Sequence, residues 1–148
     1  MGKVELVPSG YNTVTPALVV KDAEKALAFY KKAFAAEERM VFRDPNGRFL
    51  HAEIRLGNSP IMLGEVMETY PATTANLYVY VIDCDAAYNR ALAAGAKAKA
   101  APRDGFWGDR YGQIEDGCGN LWTVATHKED VSPEEMHRRA IEAMSKGS

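Results

Sequence analysis

Sliding the chain by 61 residues lays it on itself, and this internal repeat constrains the fold more than any other feature of the sequence. Thr15-Pro-Ala-Leu-Val-Val20 falls on Asn76-Leu-Tyr-Val-Tyr-Val81, and both read as strands. Asp22 falls on Asp83, Ala26 on Ala87, Ala33 on Ala94, and Ile61-Met-Leu63 on Trp122-Thr-Val124. Solenoids need three or more units, so a repeat present twice points to duplication inside one domain. The chain's 148 residues suit a single domain of that kind.

Each half reads as strand, helix, then three strands. In the first, Val14 to Val20 is β-branched and strand-like. Asp22 then offers a side chain to the free N–H groups of a helix start. Leu27, Tyr30 and Phe34 follow as an apolar stripe that must bury against a sheet. Glu38 to Arg43, Phe49 to Leu56 and Ser59 to Gly64 are the next strands, the first two joined by the Asp44-Pro-Asn-Gly47 turn. In the second half the strand is Leu77 to Ile82 and the helix runs from about Asp85 to Ala94, with Gly95 placed to end it. Strands near Lys97–Ala100, Tyr111–Glu115 and Asn120–Ala125 follow, the last two joined by the turn Asp116 to Asn120. Beyond His127, Ser132-Pro-Glu-Glu135 is a capping box opening a terminal helix striped by Met136, Ala140, Ile141 and Met144. That helix packs either on its own domain or across a dimer.

These readings give an α+β fold of two tandem βαβββ modules, residues 13–66 and 74–126, with a C-terminal helix over 132–145. Lys and Arg number 18 against 20 Asp and Glu, a net charge of −2, so no basic excess marks a nucleic-acid partner. No apolar run approaches the ~18–20 residues of a membrane span, and residues 1–10 lack an apolar signal core. A cytoplasmic chain with no membrane partner is therefore expected. Cys84 and Cys118 form no CxxC zinc pattern. Cys84 sits at a helix start, but Asp83 and Asp85 oppose a thiolate there. No nucleophile elbow, phosphate loop or dinucleotide fingerprint is present.

Four motifs carry a family resemblance: Val19-Val20-Lys21-Asp22-Ala23-Glu24-Lys25-Ala26, Leu50-His51-Ala52-Glu53, Phe106-Trp107-Gly108-Asp109-Arg110-Tyr111-Gly112, and Thr126-His127-Lys128-Glu129-Asp130. In this order, on two βαβββ units, the chain resembles the vicinal oxygen chelate superfamily of glyoxalases, bleomycin- and fosfomycin-resistance proteins and extradiol dioxygenases. Among its branches the PhnB-like proteins are the most similar. The resemblance implies divalent-metal ligands on the first and last strand of each module, but here those positions hold Thr15, Asn76, about Met62, and Thr123. Neutral side chains supply neither the imidazole nor the carboxylate that holds zinc, iron or nickel, so no metal and no other cofactor is expected. The resemblance also implies curved mixed sheets around a central cavity, and a homodimer.

Candidate site residues then divide into two groups. His51 and Glu53, two apart on a strand, share a face. They read as a hydrogen-bonded polar pair, as members of a relocated metal site with Glu65, Glu115 or His127, or as metal-free acid–base groups, His51 being the better one. Phe106 to Gly112 offers Trp107 and Tyr111 as flat apolar faces for a planar or cationic ligand and Arg110 as a clamp for a carboxylate or phosphate. Alternatively, Asp109 and Arg110 pair with each other and the aromatics plug the sheet. Asn76, Tyr78 and Tyr80 share one strand face, as do Thr15, Ala17 and Val19. The expected function is metal-independent binding or sequestration of a small aromatic or cationic molecule, using Trp107, Arg110, Tyr111, Tyr78, Tyr80, Asn76 and Thr15. An enzyme of the same superfamily (lyase, isomerase or dioxygenase) and an interaction module working through the terminal helix are the rivals.

Overall fold

The structure, a computed structural model, describes residues 2–147. In chain order the elements are β1 (Ala17–Val20), α1 (Ala23–Phe34), β2 (Glu37–Arg43), β3 (Phe49–Leu56), β4 (Ser59–Glu65), β5 (Asn76–Tyr80), α2 (Cys84–Ala93), β6 (Lys97–Asp104), β7 (Asp109–Glu115), β8 (Leu121–His127) and α3 (Pro133–Ser145). They build two curved, open, four-stranded sheets ordered β1-β4-β3-β2 and β5-β8-β7-β6. In each, the first strand runs parallel to the last and the other pairings are antiparallel. The expected pair of βαβββ modules is what forms.

The repeat of 61 holds to the residue in the parallel ladders. Ala17 pairs with Met62 and Tyr78 with Thr123; Val19 pairs with Gly64 and Tyr80 with Ala125. It extends to the helix starts. Glu65 accepts the Asp22 and Ala23 N–H groups at 2.8 and 2.9 Å, and its counterpart Thr126 accepts the Cys84 N–H at 2.8 Å. Asp22 and Asp83 cap the two helices by accepting from Lys25 N and Ala86 N.

Helices cover one face of each sheet and leave the other open. The covered faces supply the core, with Leu18, Val20, Ile54, Leu63, Ile114, Trp122 and Val124 all buried. The modules meet through α1 against α2 and through an aromatic cluster in which the Trp122 ring lies 5.2 Å from Tyr30 and 4.7 Å from Phe34. At its heart Asp116 accepts hydrogen bonds from Tyr30 Oη at 2.6 Å and Trp122 Nε1 at 3.0 Å, joining the first module's helix to the second module's turn. No strand of one sheet pairs with the other among the described residues, so the two open faces belong to separate sheets.

Several element ends differ from the sequence reading, each for a local reason. β1 starts only at Ala17, because Pro16 has no N–H to donate, and Val14 is 80% exposed. Thr15 thus precedes the strand. β5 starts at Asn76 and stops at Tyr80, leaving Ile82 in solvent. β6 runs four residues further than expected, to Asp104, since two bulges on this edge strand absorb Pro102. β7 and β8 reach Asp109 and His127, which pair across the ladder. The capping box is half made: Ser132 Oγ accepts from Glu135 N, while the Glu135 carboxylate is taken by Arg138 and Arg139. None of the α3 residues is buried.

Candidate functional site

Strand alternation builds the site on the open face of the second module. β5 presents Asn76, Tyr78 and Tyr80 there; β8 presents Thr123, Ala125 and His127; β7 presents Asp109, Tyr111 and Gln113. Between β6 and β7 the chain turns through Gly105 to Gly108 and drops the Trp107 indole beside Tyr111, ring centroids 4.8 Å apart. Only glycine fits at two of these positions. A Cβ on Gly105 would lie 2.7 Å from the indole, and one on Gly108 would lie 2.3 Å from the Glu129 carbonyl at a φ of +101°. Tyr78 and Tyr80 stand 5.3 Å apart on the other side. They remain 44% and 65% exposed, so they form a surface rather than fill the core.

Asp109 sits in the middle and is 3% exposed. Its Oδ2 accepts from Tyr78 Oη at 2.6 Å and Trp107 Nε1 at 3.1 Å, and its Oδ1 meets His127 Nδ1 at 2.8 Å. Burial opposes ionisation, but the hydrogen bonds from Tyr78, His127 and Trp107 outweigh it and hold the carboxyl below its usual value. His127 meets Asp130 at 2.7 Å through its other ring nitrogen. A neutral imidazole carries one N–H, so only the imidazolium can donate to both carboxylates. Asp130 first and Asp109 second raise the His127 pKa accordingly. Burial and the bond to Asp109 push the Tyr78 phenol up to about 12. The result is a wall of aromatic rings around a carboxylate, a phenol and an imidazole whose protonated form its two aspartates favour, suited to stacking a planar molecule and to moving a proton.

The remaining candidates lie elsewhere. Arg110 follows Asp109 on β7 and so points to the helical side, where it grips Asp85 of α2 at 2.7 and 2.9 Å. It is not on the open face, nor paired with Asp109. Asn76 shares the open face of Tyr78 but is exposed at the end of β5. His51 and Glu53 lie on the open face of the other module, with His51 Nε2 and Glu53 Oε2 3.4 Å apart. Phe42 stacks beside His51 at 6.4 Å. Arg103, which the sequence reading did not single out, donates to Tyr111 Oη at 2.8 Å and lies over its ring.

The positions implied for a metal carry a poor donor set. Ala17 and Tyr78, rather than Thr15 and Asn76, are the partners of Met62 and Thr123, and the Thr123 hydroxyl is buried against Gln113. Thioether, hydroxyl and amide groups do not fit the imidazole–carboxylate set of a catalytic transition metal. Glu65 is committed to the start of α1, Glu115 to Gly119 N, and His127 to two aspartates. Among the described residues no group of three His, Cys, Asp or Glu side chains is disposed to hold a metal ion. Neither thiol is activated: burial raises the pKa of Cys84, and takes Cys118 up to about 11.

Residues 11–124 match the family model of the glyoxalase/bleomycin resistance protein/dioxygenase superfamily. The chain belongs to this superfamily. Over 134 residues it is 34% identical to the uncharacterized protein Mb0911c of Mycobacterium bovis, covering 83% of this chain and 88% of that one. The superfamily fold also relates it to TioX from Micromonospora sp. ML1, with a TM-score of 0.67 and 26% identity, covering 78% of this chain and 98% of TioX. The fosfomycin resistance protein FosX from Listeria monocytogenes shares the fold at a TM-score of 0.62 and 20% identity, covering 84% and 97% of the two chains.

Proposed function

We propose that this superfamily member, of the PhnB-like branch, binds and sequesters a planar aromatic or cationic small molecule on the open face of its second module, without a metal. The observation that carries the reading is the convergence of Tyr78, Tyr80, Trp107 and Tyr111 around the Asp109 carboxylate. Rings on either side supply stacking area, and Asp109 with Asp130 supplies negative potential for a cation. Resistance proteins that sequester a compound belong to the same superfamily, which supports the class of function. The same proposal has the chain pair as a homodimer, which light scattering on the purified protein tests.

The test is a titration with planar aromatic cations followed by tryptophan fluorescence. Trp107 lies at the site and Trp122 is wholly buried, so quenching assigned to Trp107 by Trp107→Phe supports the reading. Binding that survives Trp107→Ala unchanged overturns it. The second reading, an enzyme of the superfamily working by acid–base chemistry, rests on His127 held between two carboxylates beside the Tyr78 phenol. It requires turnover of a bound compound with a pH profile that His127→Ala abolishes.

A further inference from the structure

A second site stands on the first module, under the chain that leads into it. Pro8 to Tyr11 forms a turn, closed by Tyr11 N donating to Pro8 O at 3.1 Å, and this strap lies over the end of β3. Beneath it is a pocket of about 290 Å³ walled by Tyr11, Met40 and Pro60 and lined by Arg39, Arg55 and Glu53. Neither Arg39 nor Arg55 has a carboxylate within ion-pair distance among the described residues, a state they share with Arg48, Arg90 and Arg103 but not with Arg43, Arg110, Arg138 and Arg139. Glu53 is turned toward His51 on the same strand face.

Arg55 is the unusual group. One arm of its fork donates to the Gly10 carbonyl at 2.8 Å, and its Nε–H is sealed from solvent with no acceptor. A guanidinium carries parallel donors matched to two oxygens of a carboxylate or phosphate, yet here it has one neutral carbonyl. The backbone at Gly10 lies so close that a Cβ there would meet Arg55 Nη2 at 3.2 Å. The bulge between Glu38 and Met40 sets Arg39 outside the regular ladder, at the same pocket.

We propose that this pocket binds the oxyanion group of a small organic molecule, a carboxylate or a phosphate, with Arg55 as the forked anchor and Arg39 as the second charge. The Gly10 carbonyl holds the place of one ligand oxygen, and the strap lifts when the anion takes its place on Arg55. The site is independent of the aromatic face on the other module.

Thermal melts and calorimetric titrations with benzoate and, separately, inorganic phosphate test it. The expected result is a saturable rise in melting temperature with one or both anions. Arg55→Gln weakens that binding roughly 10- to 100-fold, the loss of a charged hydrogen bond. Arg55→Lys, which keeps the charge without the fork, also weakens it. Arg39→Gln, an exposed substitution that leaves the fold intact, weakens it too, while Lys32→Gln leaves it unchanged. Binding of phosphate alone, or of benzoate alone, identifies which oxyanion the site takes. The proposal fails if neither anion gives a saturable effect, or if the effect persists undiminished in Arg39→Gln and in Arg55→Lys.

Discussion

Replacing Asp116 tests whether the two modules are held as one cooperative unit. Its carboxylate accepts four hydrogen bonds: Tyr30 Oη at 2.6 Å and Trp122 Nε1 at 3.0 Å on one oxygen, Cys118 N at 2.8 Å and Asn120 N at 3.1 Å on the other. Asp116→Ala removes both acceptor oxygens and with them all four hydrogen bonds. Tyr30 and Trp122 are both 0% exposed, so their donors meet no water in compensation. A buried donor left without a partner costs about 1–3 kcal/mol, which gives about 2–6 kcal/mol for the pair before any loss in the turn. Against a typical stability of about 5–15 kcal/mol this is a large fraction. At about 2–4 °C per kcal/mol for a chain near this size, a loss of about 4 kcal/mol lowers Tm by roughly 8–16 °C. Asp116→Asn keeps the shape and one acceptor oxygen, and Tyr30 can accept from the new amide, so only about 1–3 kcal/mol is lost. Circular-dichroism melts with urea titrations measure both. An Asp116→Ala protein melting within a degree or so of the parent would refute the reasoning.

The other tests address the site and its surroundings. Gly108→Ala, at a φ of +101° with 2.3 Å to the Glu129 carbonyl, costs about 2–4 kcal/mol, whereas Gly117→Ala, at +82° in open space, costs only ~1 kcal/mol; urea titrations compare them. His127 titrates above its ordinary value by NMR, and Asp130→Asn and Asp109→Asn each bring it down. Because the folded-state pKa is the raised one, the stability from this pairing is full below the unfolded value and is lost as pH rises through the folded value. Cys84 and Cys118 react with a disulfide reagent more slowly at neutral pH than a free cysteine does, Cys118 accelerating only as pH climbs toward about 11.

Much of the fold was legible because it rests on strong local signals. The offset of 61 recurs as hydrogen-bond register in both parallel ladders, and the aspartate before each helix caps it as read. The repeat breaks at the last hairpin of each module. The first turns on Gly57-Asn58 and the second on the longer Asp116–Asn120 segment, since Asp116 must reach back to Tyr30. The site was legible only in part. Trp107, Tyr78, Tyr80 and Tyr111 meet on one face, as alternation implied for the tyrosines of β5. Asp109 and His127 were not grouped because both lie beyond the expected strand ends. Counting outward from Cys118, the centre of that turn, pairs residue 109 with 127 and would have found them. Arg110 was misplaced because its partner, Asp85, lies 25 residues away on α2, a contact that only the tertiary fold creates.

The most direct measurement is the tryptophan fluorescence of the protein titrated with ethidium, a planar aromatic cation, in parent, Trp107→Phe and Tyr78→Phe forms. The account predicts saturable quenching in the parent that is largely lost without Trp107 and weakened without the Tyr78 hydroxyl. Quenching that saturates identically in all three, arising from Trp122 alone, would contradict a ligand site on the open face of the second module.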